Sequence, residues 1–189
     1  MTQKSLYVTI LGGKFKGKKL LLPSKETTRS TKAILKSSFF NTVQFDIINT
    51  CFVEAFAGSG SMGLEALSRG AKRAYFIEKD RTAFNILKEN CEKFDECICF
   101  FDDTFAKLPK IAQSLEEAAF FYFDPPFEIR EGMEDIYKKT IELFASLPKS
   151  KVKFGIFEHA SSFKMPNLIK DFELLKTKTF GNSSVSFYA

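Results

Sequence analysis

The stretch that most constrains this fold is the glycine-rich run at residues 51–63. Residues 51–57 are mostly apolar and are followed by glycine, which predicts a short buried parallel strand. Gly58, Gly60 and Gly63 then predict a tight turn into a helix. Glycine lets the backbone approach a bound group closely, and a helix N-terminus favours hydrogen-bond acceptors. This strand–turn–helix unit therefore predicts a site for a nucleotide-like ligand at the C-terminal edge of a parallel sheet.

Two cofactor chemistries fit this unit. Residues 58–63 match the dinucleotide fingerprint G-x-G-x-x-G, and Glu78 follows Gly58 by 20 positions, where a ribose-binding acid belongs. The same stretch fits an S-adenosylmethionine site, whose usual motif has an acidic and an aromatic residue before the glycines. Glu54 and Phe56 supply that form. The glycine turn by itself leaves both cofactors open.

A second stretch favours S-adenosylmethionine. Residues 119–123 predict an aromatic strand, and Asp124-Pro125-Pro126-Phe127 follows it, which resembles the (D/N)-P-P-(Y/F) motif of amino-group methyltransferases. A planar exocyclic amine is a poor nucleophile because its lone pair is delocalised, so it needs acceptors that bind its N–H bonds and aim that lone pair. The Asp124 carboxylate and the Pro125 carbonyl can accept these bonds, and Phe127 can stack on a base. We expect these three residues to form the catalytic group.

From residue 51 onwards, predicted strands and helices alternate. This alternation predicts an α/β fold with a mostly parallel sheet and helices on both faces, closed by an antiparallel hairpin around Gly181-Asn182. That layout is the Rossmann-like class I methyltransferase fold, with seven strands in the sheet. The predicted strands are 51–57, 74–77, 97–101, 119–123, 153–157, 172–179 and 184–188, and the predicted helices are 30–43, 80–90, 111–117 and 133–147.

Acidic residues recur at the ends of the predicted strands, and such ends converge on one crevice in an open parallel sheet. Glu54 could meet the amino-acid part of the cofactor, Glu78 could accept from both ribose hydroxyls, and Asp102 or Asp103 could accept from the adenine amino group. The choice between the last two stays open. The expected cofactor-binding residues are Glu54, Phe56, Gly58, Ser59, Gly60, Glu78, Lys79, Asp102, Asp103 and Thr104.

The positive charge is concentrated near the N-terminus. Residues 1–36 hold 9 basic residues and a single acid, Glu26, although the whole chain carries a net charge of only +5. Such a localised basic stripe predicts a polyanionic partner. Residues 6–22 predict a hairpin around Gly12-Gly13 whose second strand presents Lys14, Lys16 and Lys18 on one face. The alternative is a solvated edge strand protected by lysines.

We divide the chain into a basic, RNA-contacting hairpin and helix extension at residues 1–45 and a methyltransferase domain at residues 46–189. The four cysteines lack metal-ligand spacing, and the single histidine, His159, is remote from them, so we expect structural thiols and no metal. We expect Glu158-His159 to be a cap or a satisfied surface pair. With no signal-like N-terminus and no membrane-length apolar run, a soluble, cytoplasmic monomer is expected.

The motifs together resemble the RsmD family of 16S ribosomal RNA guanine-N2 methyltransferases over nearly the whole chain. Residues 10–20 are similar to the family's opening I-x-G-G-x-x-(K/R)-G-(K/R)-x-L, and residues 56–71 are close to its F-A-G-S-G-x-L-G-L-E-A-L-S-R-G-A. Residues 28–31 stand where the family has T-R-P-T, and residues 180–183 resemble its (Y/F)-G-(D/N)-T. Glu54, Ser30 and Phe127 depart from the more usual Asp, Pro and Tyr.

This resemblance implies methyl transfer from S-adenosylmethionine to N2 of one guanine in small-subunit ribosomal RNA. It implies that Arg29 and Thr31 lie near the cofactor and target pocket, and that the basic hairpin holds RNA. The expected substrate-binding residues are Lys14, Lys16, Lys18, Lys19, Arg29 and Thr31.

Three other functions compete with this interpretation. A DNA methyltransferase acting on adenine N6 or cytosine N4 would use the same Asp-Pro-Pro-Phe chemistry on a flipped base. A non-catalytic ribosomal RNA-binding assembly factor would retain the site without using it, although Gly58, Gly60, Glu78 and Asp124 are intact. An NAD-dependent dehydrogenase is the weakest alternative, because it gives no role to the Asp-Pro-Pro-Phe motif.

Overall fold

The structure, a computed structural model, describes residues 6–23, 29–126 and 135–189, and gives only the backbone for residues 29–31. The strands are β1 Tyr7–Thr9, β2 Lys19–Leu21, β3 Cys51–Glu54, β4 Arg73–Glu78, β5 Cys97–Phe101, β6 Ala119–Phe123, β7 Val152–Ala160, β8 Leu168–Ile169, β9 Phe172–Phe180 and β10 Ser183–Tyr188. The helices are α1 Arg29–Thr42, α2 Ser61–Ser68, α3 Arg81–Cys91, α4 Thr104–Ser114 and α5 Ile136–Ala145. Within these described ranges, no helix combines the length and apolar character needed to cross a membrane.

The main sheet has the strand order β5-β4-β3-β6-β7-β10-β9-β8. Strands β3 to β7 pair in parallel. Strand β10 follows β9 through a tight turn and pairs antiparallel with both β9 and β7. The chain starts in the middle at β3, moves outwards to β5 and returns to β6 on the other side of β3. A crevice therefore opens at the carboxyl ends of β3 and β6, where the winding direction changes. The predicted fold is confirmed, and β8 adds a two-residue strand to the seven predicted ones.

Helices cover both faces of the sheet, so its central strands are buried on both sides. In β6 all five residues are buried. Phe120 and Tyr122 pack under α1, α2 and α3, whereas Phe121 and Phe123 pack under α4 and α5. This alternation follows from the two-residue period of a strand, and it explains why β6 has no polar face.

The N-terminal segment docks on α2 through backbone groups. The Leu11 N–H donates to Glu65 Oε2 (2.7 Å), and the Phe15 N–H donates to Ser68 Oγ (2.9 Å). The Ser68 hydroxyl in turn donates to the Gly12 carbonyl (2.5 Å), and the Lys14 N–H donates to the Ser68 carbonyl (2.7 Å). Two side chains of one helix thus replace the strand partners that this segment lacks there.

Glu65 also forms ion pairs with two basic side chains. Its side chain is fully buried and lies 2.8 Å from Arg69 Nε and 3.4 Å from Lys36 Nζ. Lys36 also donates to the Thr9 carbonyl (3.1 Å), so α1, α2 and the end of β1 meet at this carboxylate. Burial lowers the pKa of Lys36, and the charge of Glu65 opposes that shift.

The predicted lysine face of the hairpin is wrong. Residues 14–17 form a turn, and the second strand contains only Lys19–Leu21, so Lys14, Lys16 and Lys18 do not alternate along a strand. The reason is the tight docking on α2, together with the positive φ angles of Gly13 (77°) and Gly17 (90°). These features curl the chain before β2 begins.

Two helices also differ from their predictions. The apolar spacing within α1 predicts one face formed by Ile34, Leu35, Ser38 and Phe39, but Ile34 is 61% exposed and Phe40 is buried instead. Helix α4 begins at Thr104 rather than at residue 111, because Asp103 caps it by accepting from the Phe105 N–H (2.9 Å). Pro109 lies within the helix, and its helix-breaking tendency hid the earlier turns from the sequence pattern.

The docking geometry predicts different costs for two glycine substitutions with similar backbone angles. A Cβ at Gly13 would lie 1.7 Å from the Ser68 carbonyl oxygen, whereas a Cβ at Gly17 would meet no atom within 4 Å. We expect Gly17→Ala to cost about 1 kcal/mol of backbone strain. Gly13→Ala should cost at least about 2 kcal/mol more, because the segment must shift. Urea unfolding of both variants measures the difference, and equal losses would contradict this account of the docking.

Candidate active site at the carboxyl edge of the sheet

The structure brings the predicted acids to one edge of the sheet. Glu54 ends β3 and Glu78 ends β4, while Asp102 follows β5 and Asp124 follows β6. These four strands are neighbours, so the acids line the crevice at the change of winding direction. The sequence-based expectation of one shared crevice agrees with this placement.

Glu54 holds the start of α2. Its Oε2 accepts from the Gly63 N–H (2.8 Å) and its Oε1 from the Met62 N–H (3.4 Å). The side chain is 4% exposed, and burial raises the pKa of Glu54 to about 8. The two N–H bonds oppose this shift, and the nearby charge of Asp124 adds to it. The buried carboxyl group of Glu54 therefore fixes the helix that follows the glycine turn.

The glycine turn forms a cradle that is open on one side. Glu78 Oε2 accepts from the Gly58 N–H (2.7 Å), and its Oε1 accepts from the Asp80 N–H (2.7 Å). Gly58 has a φ of 51°, and a Cβ there would meet no atom within 4 Å. At Gly60 the backbone instead packs closely, since a Cβ there would lie 2.6 Å from Leu87. The open side and the carboxylate beside it suit a ligand that carries hydroxyl groups.

The end of β5 has several constrained residues. Asp103 caps α4 and lies 3.8 Å from Lys79. Asp102 Oδ1 accepts from the Asp103 N–H (2.8 Å). The buried Thr104 hydroxyl donates to the Ala55 carbonyl, which ties α4 to the end of β3. Thr104 therefore has a structural role, because its hydroxyl is buried and already bonded to Ala55.

Asp124 lies at the end of β6 beside a lysine from α1. Lys32 Nζ is 3.8 Å from Asp124 Oδ2, and both side chains are more than 30% exposed. Pro125 is buried directly after Asp124. Phe127, the third predicted catalytic residue, lies outside the described residues. Lys32 is not among the predicted site residues, because in the sequence it is one of the 9 basic residues in 1–36 and has no distinctive spacing.

Arg29 and Thr31 belong to the first turn of α1, which also carries Lys32. Their backbones therefore lie within one helical turn of Lys32, which pairs with Asp124. The structure does not describe their side chains. Other predicted RNA contacts divide by exposure. Lys14, Lys16 and Lys19 are exposed, whereas Lys18 is half-buried and its Nζ lies 3.9 Å from the centre of the Phe94 ring.

A buried polar pair links β6 to β7. The Tyr122 hydroxyl donates to Glu158 Oε2 (2.6 Å), and burial raises the pKa of Tyr122 well above its usual value. Glu158 is therefore an interior residue rather than part of a surface pair. His159 is also buried, with Nδ1 against the Ala160 carbonyl and Nε2 against Ser186 Oγ, both at 2.9 Å. Burial lowers the pKa of His159, which is a satisfied neutral group in the core.

Asn90 is a residue that the sequence did not reveal. Its Oδ1 accepts from the Leu21 N–H (2.8 Å), and its Nδ2 donates to the Leu21 carbonyl (3.0 Å) and to the Ser59 carbonyl (2.9 Å). One buried amide thus joins β2 to the glycine turn. An asparagine on a helix carries no distinctive spacing, so only the structure shows this connection.

The part of the chain that the structure describes contains no group of three or more His, Cys, Asp or Glu residues arranged to hold a metal ion. All four cysteines are free thiols.

Comparisons with known proteins identify the family. Residues 8–189 match the family described as Conserved hypothetical protein 95. The chain belongs to this family. It is 31% identical over 187 residues to the Ribosomal RNA small subunit methyltransferase D of Haemophilus influenzae, covering 96% of this chain and 93% of that protein.

Solved structures agree with the family. The Escherichia coli protein yhhF gives a TM-score of 0.75 at 25% identity, over 96% of this chain and 97% of that chain. The fold is also that of M. jannaschii TYW2, solved in complex with AdoMet, with a TM-score of 0.57 at 15% identity over 100% of this chain and 85% of that one. The predicted RsmD family and the class I methyltransferase fold are confirmed.

Burial of Glu54 predicts a pH-dependent stability. Because its pKa is about 8 in the folded protein and near 4.5 in the unfolded chain, the folded state retains a proton that the unfolded state releases between these values. Stability should therefore fall as pH rises from about 5 to 8, by an amount on the order of 3–5 kcal/mol relative to Glu54→Gln.

Thermal unfolding of the wild type and Glu54→Gln across this pH range measures the difference. Glu142→Gln, an exposed carboxyl-to-amide change on α5, is the matched control. Parallel curves for the wild type and Glu54→Gln would contradict the raised pKa.

Proposed function

We propose that this chain transfers a methyl group from S-adenosylmethionine to the exocyclic N2 of a guanine in 16S ribosomal RNA of the small subunit. The observation that carries the proposal is the position of Asp124 and Pro125 at the carboxyl end of β6, beside the strand that leads into the glycine cradle. The predicted amine-binding motif and the glycine cradle therefore lie at the same edge of the sheet. The family relatives named as ribosomal RNA small subunit methyltransferases support the substrate class.

The cradle fits S-adenosylmethionine. Each Glu78 oxygen already accepts one N–H bond and retains a second lone pair, so this carboxylate can accept from ribose hydroxyls. Asp102 suits the adenine amino group better than Asp103 does, because Asp103 is engaged by the α4 cap and by Lys79. When bound, the cofactor supplies an electrophilic methyl group on its sulfonium sulfur.

The other predicted cofactor residues act through shape. Phe56 packs edge-on against Phe105, with ring centres 6.2 Å apart, and forms a wall beside the glycine turn. The Ser59 carbonyl is held by Asn90, which fixes the turn itself. Glu54 is too buried to reach far into the crevice, so we assign it the orientation of α2 rather than a direct contact.

The acceptor amine is positioned by Asp124 and Pro125. The Asp124 carboxylate and the Pro125 carbonyl accept the two N–H bonds, which aims the nitrogen lone pair at the methyl group. The proline ring fixes the backbone and removes an N–H that would compete for these acceptors. Lys32 Nζ lies 3.8 Å from Asp124 Oδ2, which places a positive charge beside the proposed acceptor. After transfer, the proton leaves to Asp124 or to water.

The basic N-terminal extension is proposed to hold the RNA. Lys14, Lys16 and Lys19 are exposed on a segment that Glu65 and Ser68 anchor to α2. These cations can contact phosphates, while the first turn of α1 lies at the crevice edge beside Asp124. We propose that the protein acts as a cytoplasmic monomer, with residues 1–45 as the RNA-contacting part and residues 46–189 as the catalytic part.

A labelled-methyl transfer assay tests the proposal. Small ribosomal subunits that lack the mark, naked 16S ribosomal RNA and duplex DNA are compared, and the products are digested to nucleosides. N2-methylguanosine in the ribosomal RNA is expected. Methylated adenine or cytosine in DNA would overturn the substrate and keep the amine chemistry. Cofactor binding without transfer to any substrate would favour an assembly factor.

Replacing the Asp124 carboxylate should stop the reaction. We expect Asp124→Asn to lower kcat by at least about 10³-fold, because the amide presents N–H groups where an acceptor is needed. Affinity for S-adenosylmethionine, measured by calorimetry, should stay within a few-fold. Asp95→Asn, an exposed change at the opposite end of β5, is the control and should keep full turnover. Normal turnover by Asp124→Asn would remove its assigned role.

The exposed lysines of the extension should contribute to the salt dependence of RNA binding. We expect the double variant Lys14→Gln/Lys16→Gln to weaken binding and to reduce the slope of log K against log salt by about 1.4–1.8. The control is Lys138→Gln/Lys139→Gln, which removes two exposed charges from α5. A slope equal to that of the control would show that these lysines only solvate the turn.

A further inference from the structure

A polar groove runs along the outer side of α1, between this helix and β9. It has a volume of about 470 Å³ and is lined by Ile34, Ser37, Ser38, Asn41, Thr42 and Lys178, and we call it the α1–β9 groove. Helix α1 belongs to the extension at residues 1–45, but none of the residues named above as contacts to the cofactor, the amine or the RNA lines this groove. The groove is therefore a separate candidate binding surface.

The lining consists of neutral hydrogen-bonding groups and one cation. Helix α1 contains no acidic residue over its whole length. Lys178 Nζ donates to Thr42 Oγ1 (2.7 Å) and to Ser38 Oγ (3.4 Å), so two hydroxyls direct its ammonium group along the groove. Within the described part of the chain, no carboxylate lies within 4 Å of this ammonium. Its positive charge is oriented and available to an anion.

A second cation continues the line. Lys176 and Lys178 pair with Phe187 and Val185 of β10, which belong to the core beneath α1, so both lysines project from the α1 side of β9. Residues two apart on a strand are about 7 Å apart, which makes a short row of positive charge. Lys176 is exposed, and its Nζ lies 5.0 Å from the centre of the Phe187 ring.

The groove leads away from the catalytic edge. Lys32, which lies beside Asp124, is two residues before Ile34 at the start of the groove. On the opposite wall, β9 ends at the Gly181-Asn182 turn, and Ser183 just after it pairs with Ala160 at the carboxyl end of β7. Both walls therefore reach the edge where the amine-binding residues lie.

We propose that the α1–β9 groove binds the sugar–phosphate backbone of the RNA strand that flanks the target guanine. This inference rests on the proposed function. Hydroxyl, amide and ammonium donors are the groups that bind phosphate oxygens, and their neutral or positive character repels no part of a polyanion. A protein partner is less suited, because the groove offers a single large apolar side chain, Ile34, and no aromatic anchor.

The test removes the two positive charges and leaves unbranched side chains that can still form hydrogen bonds. Lys176→Gln/Lys178→Gln should weaken binding to naked 16S ribosomal RNA roughly tenfold or more at 0.1 M salt and lower the salt slope by about 1.4. Cofactor affinity and kcat at saturating RNA should change less than twofold. The control is again Lys138→Gln/Lys139→Gln on α5, which lies on the other face of the sheet.

A second pair of variants leaves Lys178 and its hydroxyl partners in place. Asn41→Asp puts a negative charge in the groove with almost no change in shape, and it should weaken RNA binding several-fold. Gln113→Glu adds the same charge to an exposed site on α4, so it measures the effect of net charge alone. Equal effects at the two positions would overturn the proposal, because the groove would then matter only through overall charge.

Two further outcomes distinguish failure of the groove proposal from failure of the proposed function. If the lysine variants weaken binding to ribosomal subunits but leave naked ribosomal RNA unaffected, the groove binds a protein, and the proposal is wrong. If the wild type transfers no methyl group to ribosomal RNA, the proposed function fails. The binding comparison with the α5 control still decides whether RNA occupies the groove.

Discussion

The buried carboxylate of Glu65 is the interaction on which the arrangement of the chain depends. It is fully enclosed, and its two oxygens meet the Leu11 N–H, Arg69 and Lys36. Removing one partner of such a group leaves a charge uncompensated in a low-dielectric interior, which typically costs about 3–5 kcal/mol. Because the partners come from the N-terminal segment, α1 and α2, a single carboxylate fixes how three parts of the chain sit together.

A second buried carboxyl group, that of Glu54, fixes the other end of the same helix. Glu54 reaches from β3 to the N–H groups at the start of α2, while Glu65 and Ser68 occupy its last turns. The eight-residue helix α2 is therefore held at its start by the glycine turn and at its end by the N-terminal segment. The cofactor cradle and the basic extension share this rigid connection, so neither can be understood without α2.

The sequence predicted the parts of the fold that follow from local patterns. Apolar runs followed by glycine or acid located β3 to β6, since buried parallel strands are apolar on both faces. The same reasoning placed Glu54, Glu78 and Asp124 at one edge. Prediction from the sequence failed where a residue distant in the chain determines the local structure. The turn after Gly13 depends on Ser68, and the burial of Lys36 depends on Glu65. Neither pairing leaves a periodic signal.

The site shows the same division. Gly58 and Glu78 were found because their spacing reflects one strand–turn–helix unit, whereas Lys32, Asn90 and the Tyr122–Glu158 pair join elements far apart in sequence. Pro109 misplaced the start of α4, because a proline inside a helix is hard to distinguish from one that ends it. Side chains that bridge elements were thus the ones that the sequence could not reveal.

Asn90 forms hydrogen bonds to two parts of the chain at once, which restricts how the N-terminal segment can evolve. Its amide completes the edge of β2 and also holds the carbonyl of Ser59 in the glycine turn. The N-terminal segment is therefore not an interchangeable module: exchanging it for another would strip partners from Asn90, Ser68 and Glu65 together. New substrate preferences are more accessible through exposed side chains such as Lys14 and Lys16, which can vary without disturbing the shared interior.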